Sequence, residues 1–179
     1  MLVSRQSAYL RLVFYAVISR RFLQGSDCFD TKINIEVQWA SEETIAAVER
    51  KGGVITTAYY DVFSVEALSN ARRFFQSGQP IPKRLTPPAN AIGYYTKAEN
   101  RGYLADPKKI AEARFALAQK YGYELPDIEA DPDKDMLKTV KDPRQVFHGL
   151  KPGWIVSLAE KAIYKPLDPE LNKFYDAGV

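Results

Sequence analysis

The strongest constraint on the fold of this chain is the order of patterns between Thr31 and Tyr60. Apolar and polar residues alternate from Thr31 to Gln38, which is typical of a strand with one buried face. Val54–Tyr60 is rich in β-branched and aromatic residues and predicts a second strand. A helical pattern separates the two segments, so the strands are expected to run parallel with a right-handed crossover. The apolar positions predicted to be buried in the first strand are Ile33, Ile35 and Val37.

The predicted helix between these strands has recognisable ends. Ser41 is a suitable N-cap, and the pair Gly52–Gly53 ends the helix because glycine readily adopts the left-handed conformation. The helical spacing puts Ile45, Val48 and Gly52 on one arc. We expect the opposite arc to be polar, and its residues are Glu42, Glu43, Glu49 and Arg50.

The elements predicted after this unit are short and mixed. A short helix is predicted at Ser64–Ala71, and the proline-rich residues 78–88 are predicted to run extended over a surface. A longer helix is predicted from Asp106 to Gly122, with an apolar stripe at Ile110, Ala113, Leu117 and Tyr121. A hairpin at Trp154–Lys165 and a last helix, which starts at Asp168 and ends before Gly178, follow. The fold class is therefore α/β, a small strand–helix–strand unit with a long, partly helical and partly extended C-terminal extension. The predicted regions are 1–26, 27–62 and 63–179.

The first region contains four arginines and no acid before Asp27. This composition is typical of a mitochondrial transit peptide. A secretory signal, an alternative start and a mispredicted exon are other interpretations, although Arg11 interrupts the apolar stretch that a secretory signal needs. The charge-free apolar stretch at Leu12–Ser19 is shorter than the ~20 residues that span a bilayer, so no membrane anchor is expected.

The net charge of the chain is +3, but the arginines of region 1–26 account for more than this excess. A nucleic-acid contact would therefore depend on local patches instead of a global field. Basic residues interleaved with aromatic side chains predict such patches, whereas the alternative interpretation is an ordinary solvated surface over a hydrophobic core. The candidate RNA-contact residues are Arg72, Arg73, Lys83, Arg84, Lys97, Arg101, Lys141 and Arg144.

Catalytic and metal-binding patterns are weak. The chain has one cysteine, Cys28, and one histidine, His148, which are too few for a Cys/His zinc site. The acidic run from Asp127 to Asp135, aligned as a calcium loop that starts at Asp131, has Met136 where such a loop needs glycine. We therefore expect no catalytic residues, no metal, no cofactor and no small-molecule substrate.

Several motifs resemble a known family. IxIxV at 33–37, AS at 40–41 and GG at 52–53 resemble the C-terminal signature of the large-subunit ribosomal protein fifteen (L-fifteen) family. The resemblance extends over residues 25–176 and is most similar to the animal mitochondrial form. The motifs that carry it are GQPIPKR (78–84), NRGYLADP (100–107), KYGY (120–123), LPDI (125–128), KDPRQVF (141–147), PGWIV (152–156) and KP (165–166).

The resemblance implies a structural constituent of the mitochondrial large ribosomal subunit in the matrix. Its implied partners are ribosomal RNA and neighbouring proteins of the subunit, and it implies no catalytic residues. Family members begin with a long Gly/Arg/Lys-rich arm that residues 1–23 do not resemble. The alternative hypothesis is a soluble protein-interaction module, or a truncated isoform that is not incorporated into the ribosome.

Overall fold

The computed structural model describes residues 29–125, 127–130 and 142–177, which form two compact units. The first unit contains residues 29–58, 89–125 and 127–130, and the second contains residues 59–88 and 142–177. Each unit is therefore built from segments that are distant in sequence. The predictions for region 1–26, Cys28, the acidic run from Asp131 and Lys141 lie outside the described residues.

The strand–helix–strand prediction is confirmed in the first unit. Strand β1 (Asn34–Val37) and strand β2 (Val54–Thr57) pair in parallel, and helix α1 (Glu42–Arg50) connects them. The backbone of Thr57 also pairs with the segment around Gly102: the Thr57 N–H donates to the Arg101 carbonyl at 2.9 Å, and the Tyr103 N–H donates to the Thr57 carbonyl at 3.0 Å. The second strand therefore has hydrogen-bonded backbone on both sides.

The ends of α1 follow the sequence prediction, but its polar arc does not. The Ser41 hydroxyl accepts from the Thr44 N–H at 3.3 Å, and Gly52 has a φ of +81° just after the helix. Glu49, predicted to lie on the polar arc, is only 1% exposed. In β1, Glu36 is 5% exposed, so this strand is covered on both faces instead of one.

Two further helices complete the first unit. Helix α4 (Ala89–Tyr95) was not predicted, whereas α5 (Pro107–Tyr121) begins at the predicted Asp106 cap and ends at Gly122, whose φ is +68°. Of the stripe predicted for α5, Leu117 joins the core and Tyr121 is 44% exposed. A short 3₁₀ helix follows at Ile128–Ala130. The buried residues of this core are Val37, Ala40, Ile45, Ala46, Val48, Ile55 and Leu117.

The second unit contains helices α2 (Val62–Ser69) and α3 (Ala71–Gln76), where one helix at Ser64–Ala71 was predicted. Residues 78–88 form no helix or strand, as predicted, but they do not simply lie over a surface. Ile81 has no exposed surface, because it packs with Phe75 and Val146 in the core of this unit. Its N–H donates to the Trp154 carbonyl at 2.9 Å, so the segment is integrated into the unit.

The hairpin and the last helix are confirmed. Strands β3 (Ile155–Ser157) and β4 (Ala162–Tyr164) are antiparallel, and α6 (Pro169–Asp176) begins at the Asp168 cap. A Cβ on Gly153 would lie 2.5 Å from the ring of Tyr175. The absence of a side chain at Gly153 therefore allows the ring to pack against the backbone there. Among the described helices, none is both long and apolar enough to cross a membrane.

Candidate nucleic-acid interface

The seven candidate RNA-contact residues that the structure describes fall into distinct environments. The side chains of Arg72, Arg73 and Lys97 are exposed, the two arginines on α3 and the lysine after α4. Within the described ranges, these three side chains form no hydrogen bond or ion pair. Their charges are therefore available to a partner.

Lys83 and Arg144 both contact the C-terminal end of α6. The Lys83 ammonium donates to the carbonyl of Ala177 at 2.7 Å and lies 5.6 Å from the centre of the Phe174 ring. The Arg144 guanidinium donates to the carbonyl of Asp176. Cations are favourable at the carbonyl end of a helix because its dipole is negative there. These two residues therefore anchor the last helix within the second unit.

Arg144 also forms a close ion pair within its own loop. Its Nε and Nη2 donate to the two carboxylate oxygens of Asp142 at 3.0 and 2.9 Å. The hydrogen bonds from Arg144 lower the pKa of Asp142 below its ordinary value. This pairing further reduces the charge that Arg144 offers to an external phosphate.

Arg84 is a buried cation, only 2% exposed. Its guanidinium lies 4.0 Å from the centre of the Tyr60 ring, and its Nε donates to the Tyr59 carbonyl at 2.7 Å. Nη1 donates to the Gln145 carbonyl at 3.4 Å. The geometry gives Arg84 an organising role inside the second unit.

Arg101 is the second buried cation, also 2% exposed, and it pairs with Glu49 of α1. Its Nε and Nη2 donate to the two carboxylate oxygens of Glu49 at 2.8 and 3.1 Å, a bidentate pair. The φ of Arg101 is +57°, a left-handed conformation that is uncommon for a residue with a side chain. Its Nη1 also donates to the Ala98 carbonyl at 3.0 Å, so several contacts hold the turn.

Two more residues contact Glu49, and neither was predicted from the sequence. The Tyr123 hydroxyl donates to Glu49 Oε2 at 3.0 Å, and Arg114 Nε lies 3.4 Å from Glu49 Oε1. Burial and the Glu49 carboxylate raise the pKa of Tyr123 above its ordinary value. The signal for Arg114 was present: it lies four residues after Ile110, on the arc that faces the core.

Metal-ligating side chains are not grouped in the part of the chain that the structure describes. Across ranges 29–125, 127–130 and 142–177, no group of three or more His, Cys, Asp or Glu side chains is placed to hold a metal ion. His148 is exposed. The described candidates thus divide into cations with partners inside their own unit and exposed cations without such partners.

Comparison with known proteins finds similar ribosomal proteins. No protein-family model matches the chain. Along 152 residues, or 85% of its length, the chain is 55% identical to large ribosomal subunit protein uL15m of the zebrafish Danio rerio. Over this region the chain resembles uL15m. It is also 33% identical over 94 residues, 52% of its length, to uL15m of the fission yeast Schizosaccharomyces pombe.

The match covers only part of the length of the uL15m relatives. The aligned region corresponds to 51% of the zebrafish protein and 35% of the fission-yeast protein. The chain thus spans about half the length of the zebrafish uL15m that it matches. The resemblance to the mitochondrial L-fifteen family, expected from the motifs, is confirmed over this region.

Proposed function

We propose that this protein is a structural, non-enzymatic constituent of the mitochondrial large ribosomal subunit, located in the matrix and supporting mitochondrial translation. The observation that carries the proposal is the 55% identity to zebrafish uL15m over 85% of the chain. In this role the chain contacts ribosomal RNA and neighbouring proteins of the subunit.

The RNA contacts are assigned first to Arg72, Arg73 and Lys97. Exposed cations neutralise phosphates, whereas cations that are already paired inside a fold contribute less. Lys83, Arg84, Arg101 and Arg144 are committed to intramolecular contacts with carbonyl groups, a ring or a carboxylate. Lys141 keeps its assignment from the sequence.

The distribution of charge supports this assignment. Residues 59–88 contain four basic and two acidic residues, and one of the acids, Asp61, is buried. Residues 29–58 contain three basic and five acidic residues. Residues 59–88 therefore carry an excess of positive charge, and they include α3 with Arg72 and Arg73.

Sedimentation of mitochondrial lysates tests the proposal directly. A tagged chain expressed in animal cells is expected to co-sediment with the large subunit and to shift to lighter fractions when magnesium chelation dissociates the subunit. A tagged matrix protein unrelated to the ribosome serves as the control. If the chain stays at the top of the gradient while other large-subunit proteins sediment normally, it is instead an interaction module outside the ribosome.

A further inference from the structure

An exposed apolar surface lies at the start of α2 in the second unit. Val62 and Phe63 form the first turn of this helix and are 79% and 72% exposed. Leu85 is 57% exposed, and its N–H donates to Asp61 Oδ1 at 3.3 Å, so it lies beside the same turn. We call Val62, Phe63 and Leu85 the α2 patch. Exposed apolar side chains that lie close together are typical of interaction surfaces.

The backbone under the α2 patch is held by buried polar contacts. Asp61 is 8% exposed, caps α2 by accepting from the Ser64 N–H at 3.2 Å, and accepts from Leu85 as well. Arg84 precedes Leu85 and is fixed by the Tyr59 carbonyl and the Tyr60 ring. The patch therefore displays its side chains from two segments that are tied together, and a preorganised surface binds with a smaller entropy loss.

The charge around the α2 patch argues against a nucleic-acid partner. Residues 59–71 contain no Lys or Arg, although Arg72 and Arg73 follow directly. The exposed carboxylate of Glu66 lies three residues after Phe63 and four after Val62, on the same side of α2. Phosphates would be repelled at this position, whereas a Lys or Arg on a protein would be attracted.

We infer that the α2 patch docks onto a protein neighbour in the ribosomal subunit, at an apolar depression whose rim carries Lys or Arg opposite Glu66. The inference rests on the proposed function, because it takes the subunit as the source of the partner. Phe63 fills the depression and Val62 and Leu85 flank it, as a central aromatic anchor with apolar neighbours does in stable interfaces. Arg72 and Arg73 on α3 then serve RNA while α2 serves protein.

Site-specific photo-crosslinking in intact large subunits tests this inference. The probe is p-benzoylphenylalanine in place of Phe63, and the matched control carries it in place of Phe115, a phenylalanine of the first unit that is 60% exposed. The expected result is an adduct from position 63, and not from position 115, with a peptide of another large-subunit protein that has apolar residues and at least one Lys or Arg.

The other outcomes overturn the inference. An adduct with RNA would make Phe63 a base-stacking residue, and an adduct with a second copy of this chain would make the patch a self-association surface. An adduct with a peptide that lacks Lys and Arg would contradict the charge argument. No adduct from position 63, in subunits that contain the chain, would also overturn it.

A variant pair gives an independent measure. The double substitution Val62→Ser/Phe63→Ser is expected to lower the amount of chain in the large-subunit peak about tenfold, while Phe115→Ser leaves it unchanged. The unfolding midpoint of the purified double variant should stay within a few degrees of the parent, because the replaced side chains are exposed. If the parent itself is absent from the peak, the proposed function fails; if the parent is present and both variants incorporate equally, only the docking inference fails.

Discussion

At the scale of the residue, Glu49 is buried and both of its carboxylate oxygens accept hydrogen bonds. Arg101 binds both oxygens, and Tyr123 binds one of them. The substitution Glu49→Gln keeps the shape but leaves two buried guanidinium groups without a counter-charge. We expect it to lower the free energy of unfolding by about 3–5 kcal/mol, measured by urea denaturation. Glu43→Gln, an exposed change on the same helix, should alter it by less than about 0.5 kcal/mol.

Tyr123 makes stability sensitive to alkaline pH. Burial and the Glu49 charge raise its pKa, so above pH ~10 the unfolded chain loses the Tyr123 proton while the folded chain retains it. This contribution is complete below the unfolded pKa and is lost as pH rises toward the folded pKa. Tyr123→Phe should lower stability by about 1 kcal/mol at pH 7. It should also reduce the decrease of the unfolding free energy with pH above pH ~10, measured by denaturation at several pH values. An unchanged pH dependence would contradict the assignment of this decrease to Tyr123.

At the scale of the element, replacing glycine by alanine is expected to have opposite effects on stability at two positions near α4. A Cβ on Gly102 would overlap the backbone carbonyl of Tyr95, the last residue of α4, whereas a Cβ on Gly93, inside α4, would meet nothing within 4 Å. Gly102→Ala should therefore destabilise the protein by about 1–3 kcal/mol, since backbone has to move. Gly93→Ala should stabilise it by up to about 1 kcal/mol, because alanine is the better helix former. Thermal unfolding of both variants measures the difference, and two changes of the same sign would contradict the predicted packing.

At the scale of the whole molecule, the distribution of exposed charge predicts how RNA binding responds to salt. The change Arg72→Gln/Arg73→Gln should reduce the slope of log affinity against log salt by about 1.4–1.8, since each phosphate contact contributes about 0.7–0.9. The measurement is a salt titration of binding to a ribosomal RNA fragment.

A charge-matched control separates a local contact from net charge. Lys51 and Lys120 form ion pairs with Asp30 and Glu42, so Lys51→Gln/Lys120→Gln removes the same amount of charge from residues of the first unit. This double variant should keep the slope of the parent. Equal losses in both double variants would mean that overall charge, and not α3, determines the affinity.

Much of the fold was predictable from local pattern. The caps at Ser41, Asp106 and Asp168, the glycines after α1 and α5, and the hairpin all depend on residues within a few positions of one another. Such interactions involve neighbours in the chain, so the sequence displays them directly. The family resemblance was likewise predicted from short motifs, and the 55% identity to zebrafish uL15m confirmed it.

The tertiary structure decided which charged residues are inside. Glu49 was assigned to a polar arc and Arg101 to an RNA contact, yet they pair across 52 positions of the chain and are almost fully buried. Arg84 likewise depends on Tyr59 and Tyr60, some 25 residues earlier. A basic residue in a sequence looks the same whether its partner is a phosphate or a distant carboxylate. The sequence by itself determined the strand–helix–strand unit, the caps and the family resemblance. Only the tertiary structure separated the cations that are bound inside the fold from the exposed ones. The physical reason is that a buried charge is tolerated only where the fold brings its partner to it.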